Sequence, residues 1–275
     1  IEDELDKMRD LGVTFQTDTI VGKTITYEDL KAQGVDGIFI ATGVGVANYM
    51  GIPGEDLKGV YTASEYLAKY NLMSPEELAE ALPSLRGKRV AVIGGGNTAI
   101  DAVRTAIRLD AKQATIVYRR SEEEMPARAE EIKHAREEGT EFFNLHNPVE
   151  YLGDESGHVT AMRLERMELG APDESGRRRP VATGEIITVP VDEVIICIGY
   201  SASTLVTKSM PELEVNKWGN IVVDEGKKTS MPDVYAGGDI VRGAATVILA
   251  MGDGRRAATA MHQKLSGRIE EGALV

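Results

Sequence analysis

The spacing of apolar and polar residues changes period several times along the chain, and each period marks an element. "IEDELDKMRDLGV" has the helical period over residues 1–11, "VTFQTDTIV" (13–21) alternates and predicts a strand, and "YEDLKAQG" predicts a short helix closed by Gly34. "DGIFIATG" (36–43) is a continuous apolar, β-branched run ending in a turn, which predicts a strand buried on both faces, as in a parallel sheet. After the connector "GIPGED" (Gly51 to Asp56), "TASEYLAKYN" and "SPEELAEAL" predict helices, the second with Ser74 as N-cap and Pro75 at its first helical position.

Residues Lys88 to Arg120 read as a βαβ unit: strand "KRVAVIG", a glycine turn, helix "NTAIDAVRTAIRLD" and strand "ATIVYRR". The helix "MPARAEEIKHAREEG" stops at Gly139. Beyond it the period becomes alternating in "EFFNLHNPVEYL", "HVTAMRLERMEL" and "GEIITVPVD", separated by the turn signals "GDESG" and "GAPDESGRRRP". Three antiparallel strands are the simplest expectation. "EVIICIG" (193–199) is again a parallel-type strand, and the last third predicts two short strands, "GNIVVDE" and "TSMPDVYAGGDI", then a long helix over 243–267. The pattern is that of an α/β protein in which a βαβ domain with a three-stranded antiparallel insertion interrupts a second α/β domain.

Composition narrows the functions open to this pattern. With 275 residues and 42% hydrophobic content the chain has room for two globular domains. Its 44 acidic against 31 basic residues, a net charge of −13, disfavour nucleic acid and anionic membrane surfaces as partners. The single cysteine, Cys197, excludes an internal disulfide, a CxxC redox pair and a thiolate cluster site held by these residues alone. His134, His146, His158 and His262 have no metal-ligand spacing, and solvated or structural roles are expected for them. No apolar run approaches about 18 residues, so a cytoplasmic location is expected. The chain begins at Ile1, inside a helical pattern, which leads us to expect a fragment of something longer.

Gly94, Gly95 and Gly96 follow a strand and precede a helix, and Gly94, Gly96 and Ala99 fit G-x-G-x-x-[GA]. The first glycine makes a tight turn, the second lets a diphosphate approach the backbone, and a small residue at Ala99 lets the helix pack on the sheet. The diphosphate would meet the free N–H groups of Asn97 and Thr98 at the positive end of the helix. The plainer reading is a tight turn with no ligand. About 20 residues on, where an NAD site places a carboxylate, the chain has Arg119 and Arg120 and no acid until Glu122. Guanidinium groups match the 2′-phosphate of NADP, which favours NADP over NAD; with "EEE" following, ordinary surface charges are the plainer alternative.

"VAVIGGGNTAIDAVRTAIRL", "VYRRSEEEMPAR", the "ATG" of Ala41, Thr42 and Gly43, "VIICIG" ending in Ile198 and Gly199, and "VYAGGDIVRGAATVILAMGDGRRAA" together resemble the small (beta) subunit of NADPH-dependent glutamate synthase. The same motifs mark its wider group, which includes the large subunit of the NADH-dependent ferredoxin:NADP oxidoreductase and the flavin part of dihydropyrimidine dehydrogenase. The resemblance implies a Rossmann-like NADPH-binding domain over 61–199, inserted into a partial FAD-binding domain made of 1–60 and 200–275. By the same resemblance the "ATG" and "IG" segments are cofactor-binding. Gly238 and Asp239 meet the FAD ribityl and phosphate region, and the backbone around Ala245, Thr246 and Val247 meets the flavin pyrimidine end. A helix N-terminus there would favour the negative charge of reduced flavin.

The activity implied is hydride transfer between NADPH and FAD, with electrons exchanged through iron–sulfur centres of a missing domain or of a larger catalytic or iron–sulfur subunit. Such a transfer depends on stacking and proximity, so no catalytic side chain is nominated. The lack of a CxxC pair separates the chain from flavin disulfide reductases. Members of the group open with an iron–sulfur domain and a first glycine motif for the ADP part of FAD. Without these, the chain is not expected to retain FAD. An NADP-binding module without flavin turnover and a redox-inactive scaffold remain the alternative readings.

Overall fold

A computed structural model describes residues 2–73, 84–174 and 176–267. The predicted helix with Ser74 and Pro75 lies outside the described residues. In chain order the first elements are α1 (Glu2–Asp10), α2 (Tyr27–Ala32), β1 (Ile38–Ile40), β2 (Val44–Ala47), β3 (Val60–Thr62) and α3 (Ala63–Leu72). The middle holds β4 (Arg89–Ile93), α4 (Asn97–Arg108), β5 (Gln113–Tyr118), α5 (Ala129–Glu137), β6 (Glu141–Asn144), β7 (His146–Gly153), β8 (Val159–Pro172), β9 (Arg178–Pro190) and β10 (Glu193–Ile196). The chain ends with β11 (Tyr200–Ala202), α6 (Thr204–Ser209), β12 (Val234–Ala236), α7 (Asp239–Arg242) and α8 (Val247–Leu265).

The chain divides into two compact units, one of residues 1–46 with 200–275 and one of residues 47–199. The first break thus falls ahead of residue 60, where the resemblance implied it. The reason lies in residues 47–60: Glu55 accepts the amides of Met50, Gly51 and Ile52, and Met50, Ile52 and Leu57 pack into the core of the 47–199 unit.

That unit is built on a parallel five-stranded sheet in the order β3-β10-β4-β5-β6. β4 and β10 are buried on both faces apart from Arg89, as their unbroken apolar runs demand. α4 lays Ala99, Ile100, Ala102, Val103 and Ala106 on the sheet, all fully buried, and Arg104 ties it to α5 through Glu131 (2.7 Å) and Glu138 (2.7 Å). The alternating runs form a second, antiparallel sheet in the order β7-β8-β9.

Three details depart from the sequence pattern. The run "EFFNLHNPVEYL" is two strands: Leu145, at φ 56°, breaks it, so that β6 joins the parallel sheet and β7 the antiparallel one. β8 and β9 run far into the predicted turn, which closes at 173–177. The helix expected from Met125 begins only at Ala129, after an extended Met125 and a 3-10 turn over Glu122–Glu124.

In the other unit β1 pairs in parallel with β12, Ile38 opposite Val234 and Ile40 opposite Ala236, while β2 pairs with β11. Ile40, Met210, Ile221, Val234 and Ile240 centre its core. Phe39 is 37% exposed, so β1 is not buried on both faces as its apolar run suggested. "VTFQTDTIV" forms no strand: it holds only an isolated bridge from Val21 to Ile25, leaves Val13, Phe15 and Ile20 exposed, and takes Asp18 to φ 55°. "GNIVVDE" likewise reduces to one bridge, Val215 with Ile221. α2 is fixed by a capping box in which Thr26 and Asp29 bond each other's backbone N–H. Among the described residues no helix is long and apolar enough to cross a membrane.

Candidate functional site

In the 47–199 unit the turn between β4 and α4 stands at the carboxyl end of the central strand. Gly94 has φ +136°, and a Cβ there would lie 2.3 Å from the carbonyl oxygen of Cys197. A Cβ on Gly95 would lie 2.8 Å from the Tyr118 ring. Gly96 is different: a Cβ there would meet nothing within 4 Å. Two glycines are therefore required by the protein's own packing, while the third faces open space. Gly96 is also the N-cap of α4, with no side-chain cap, and the first helical bonds are made by Ala99 and Ile100 to its carbonyl. The N–H groups of Asn97 and Thr98 are left at an uncapped helix start, a donor set that suits a diphosphate.

The loop after β5 is anchored to this turn. Ala127 N–H donates to Gly95 O (3.1 Å), Arg128 N–H donates to Asn97 Oδ1 (3.0 Å), and Tyr118 OH donates to Glu124 O (2.9 Å). The two strand-end arginines have separate environments. Arg119 is exposed and has no hydrogen-bond or ion-pair partner among the described residues. Arg120 is 7% exposed, donates from Nε to Arg178 O (2.8 Å) and pairs with Asp173 at 2.6 Å. Its guanidinium is held within the protein rather than at the turn, which is a correction to its expected place beside Arg119. On the far side of the turn, the Cys197 thiol is buried and its pKa is pushed well up by that burial, with the Asp101 carboxylate adding to it. Ile198 and Gly199 follow it with 38% exposure at Ile198 and φ 93° at Gly199.

The other unit has its own cleft, of about 280 Å³, at the carboxyl ends of β1 and β12. It is lined by Phe39, Ala41, Gly43, Gly237, Gly238, Asp239, Ala245, Thr246, Val247 and Ala250. The structure thus gathers Ala41, Gly43, Gly238, Asp239, Ala245, Thr246 and Val247 in one place; Thr42 is exposed and not part of the lining. Asp239 Oδ1 accepts Ala245 N–H (3.2 Å), which folds the segment between α7 and α8. Thr246, the N-cap of α8, makes no side-chain cap bond, and the first helical bonds come from Leu249 and Ala250 to its carbonyl. The amides of Val247 and Ile248 therefore precede the helical ladder at the cleft.

Asp253, a residue the sequence pattern did not single out, holds the Gly238 amide behind this cleft. It is fully buried, accepts Gly238 N–H (3.1 Å), and pairs bidentately with Arg242 (2.6 and 2.7 Å) and with Lys227 and Arg256 (3.0 Å each). The Arg242 hydrogen bond, followed by those of Arg256 and Lys227, holds its carboxyl far below the usual range. Three cations thus converge on this one carboxylate, behind the glycines that line the cleft. A Cβ on Gly237 would come within 2.8 Å of Asp253 Cβ, so this glycine is what lets Asp253 reach Gly238. Gly252, Gly254 and Ala257 repeat the G-x-G-x-x-A spacing around Asp253, but inside α8, where no turn exists to hold a phosphate.

The profile of the pyridine nucleotide-disulphide oxidoreductase family matches residues 4–262. The chain is 41% identical over 266 residues to the NADP(+)-dependent formate dehydrogenase subunit beta of Moorella thermoacetica, covering 95% of this chain and 36% of that protein. It is 38% identical over 257 residues to the glutamate synthase [NADPH] small chain of Escherichia coli K12, covering 90% of this chain and 54% of that one. The chain thus spans between about a third and about half of the length of these relatives. Among solved structures, FprA from Mycobacterium tuberculosis in complex with NADPH is similar, with TM-score 0.76 and 20% identity over 97% of this chain and 72% of that one. The match along nearly the whole chain, with the identity to these oxidoreductases, shows that the chain belongs to the pyridine nucleotide-disulphide oxidoreductase family.

Proposed function

We propose that these residues serve an NADPH-dependent flavin oxidoreductase of the glutamate synthase small-subunit kind, the 47–199 unit binding NADP(H) and the flanking unit forming part of the FAD site. The observation that carries this reading is the uncapped α4 start at Gly96, with open space over Gly96 and the exposed Arg119 at the end of the neighbouring strand. When bound, NADPH supplies a hydride and FAD accepts it. Asn97 and Thr98 N–H would hold the diphosphate, and Arg119 would meet the 2′-phosphate. In the other unit the free amides of Val247 and Ile248 at the start of α8 suit a ligand that gains negative charge on reduction. Its cleft of about 280 Å³ falls just below the roughly 300–1,000 Å³ of sites that enclose a whole ligand, and so fits part of a dinucleotide.

The electrons would pass to or from iron–sulfur centres held outside these residues, in a larger catalytic or iron–sulfur subunit. Two relatives named as a subunit and a small chain, and a lone cysteine that cannot ligate a cluster, support this. A single cysteine, so that no internal disulfide is used, accords with a cytoplasmic setting. The small cleft favours a second reading for these residues taken alone, NADP binding without flavin turnover. An absorbance spectrum of the purified chain with titrations of NADPH and NADH tests both. Bound flavin would favour the first, and a colourless protein with NADPH affinity the second. Tighter binding of NADH than NADPH would overturn the assignment of Arg119.

A further inference from the structure

The loop 119–128 is pinned at both ends, and only one end belongs to the glycine turn. At the other, the tip of the β8–β9 hairpin reaches it from more than fifty residues away in sequence. Asp173 and the Arg178 carbonyl hold the buried Arg120 guanidinium, and Arg178 Nε donates back to Glu124 Oε1 at 2.7 Å, which also accepts from the Ser121 hydroxyl at its other oxygen. Arg178 lies 3.5 Å from Glu123 as well, and Arg136 pairs with Glu122. The three acids that follow Arg119 in the chain thus face two arginines, Arg136 at Glu122 and, from the hairpin, Arg178 shared between Glu124 and Glu123. Unmatched, these carboxylates would repel a phosphate dianion far more than they would repel a ribose hydroxyl.

We propose that the β8–β9 hairpin tip, through Asp173 and Arg178, is a specificity-setting brace for the nucleotide site. It keeps Arg120 out of the site, offsets the charge of Glu124 with that of Arg178, and leaves Arg119 as the one strand-end guanidinium that meets the 2′-phosphate. Asp173, Arg178 and Arg120 are positioning residues acting through Arg119. The inference rests on the reading of the turn as an NADP(H) site.

Dissociation constants for NADPH and NADH, measured on the whole chain, test it. Arg178→Gln, at a side chain 45% exposed, is expected to leave NADH affinity unchanged and to lower the NADPH preference about tenfold, whereas Asp173→Asn, which keeps its volume and frees the Arg120 guanidinium, is expected to raise that preference. In an Arg119→Ala background Arg178→Gln is expected to change that preference by less than about twofold, the non-additivity of residues acting as one unit. A preference unchanged in both single variants, or reduced by the same factor with and without Arg119, overturns the brace. An Asp173→Asn preference that is not raised would show that Asp173 is not what keeps Arg120 from the phosphate, and overturn the brace too. Arg119→Ala with wild-type preference would instead remove the 2′-phosphate reading itself, a result distinct from any of the hairpin outcomes.

Discussion

Gly94 and Gly96 stand two residues apart and answer different demands. Gly94 has a left-handed φ and no room for a Cβ against the Cys197 carbonyl, so Gly94→Ala is expected to lower stability by at least about 3 kcal/mol. Gly96 has φ −88° and open space, so Gly96→Ala is expected to change stability by less than about 0.5 kcal/mol while weakening NADPH binding about tenfold or more. Thermal melts paired with nucleotide titrations separate the two, and an equal effect of both substitutions on stability would contradict the assignment. Asp253 answers a third demand, holding three cations and the Gly238 amide from full burial. Asp253→Asn leaves those cations without their counter-charge and is expected to cost roughly 3–5 kcal/mol, read from denaturant unfolding at pH 7.

At the scale of elements, the amino terminus of β4 is clamped to the β9–β10 turn by Asp192, which accepts Arg89 N–H (2.8 Å) and pairs with its guanidinium (2.6 and 2.9 Å). The Arg89 hydrogen bond leads in holding the Asp192 carboxyl at about 2. A depressed folded-state pKa gives stability that is complete above the unfolded value near 3.8 and is lost as pH falls through about 2. With both side chains about a third exposed, the contribution after solvent screening is about 1 kcal/mol. Asp192→Asn should remove that amount at pH 7 and flatten the stability profile between about pH 4 and 2; an unaltered profile would show the clamp to be idle. Elements whose signal is local were legible in the sequence: β4, the turn, α4 and β5 follow one another with each period intact. "VTFQTDTIV" was misread because alternation makes a strand only where a neighbour pairs with it, and among the described residues none forms a ladder with it. The β6–β7 split was hidden because one left-handed residue, Leu145, divides a run of unbroken period. The Asp253 cluster and the hairpin brace were illegible for another reason. Apart from Asp253 with Arg256, an i,i+3 pair within α8, they join charges at 227, 242 and 253, or at 120, 124, 173 and 178, across stretches of chain that no single period links.

For the molecule as a whole, the two units differ in how the chain supplies them. The 47–199 unit is one uninterrupted stretch; its core, centred on Ile93, Val117, Leu164, Val194 and Ile196, and every contact described for the glycine turn come from within it. The other unit is assembled from two separate stretches around β1 with β12 and β2 with β11, each only a two-stranded sheet, an arrangement of low stability by itself. A polypeptide of residues 47–199 is therefore expected to fold with a single cooperative melt and to bind NADPH within about threefold of the whole chain. Saturating NADPH, at about 100 times the dissociation constant, should stabilise it by about 2.7 kcal/mol. Circular dichroism melts with and without NADPH check both statements. A stretch that folds but has lost NADPH affinity would show that nucleotide binding needs residues outside 47–199, and a stretch that does not fold would show that its core is incomplete without them.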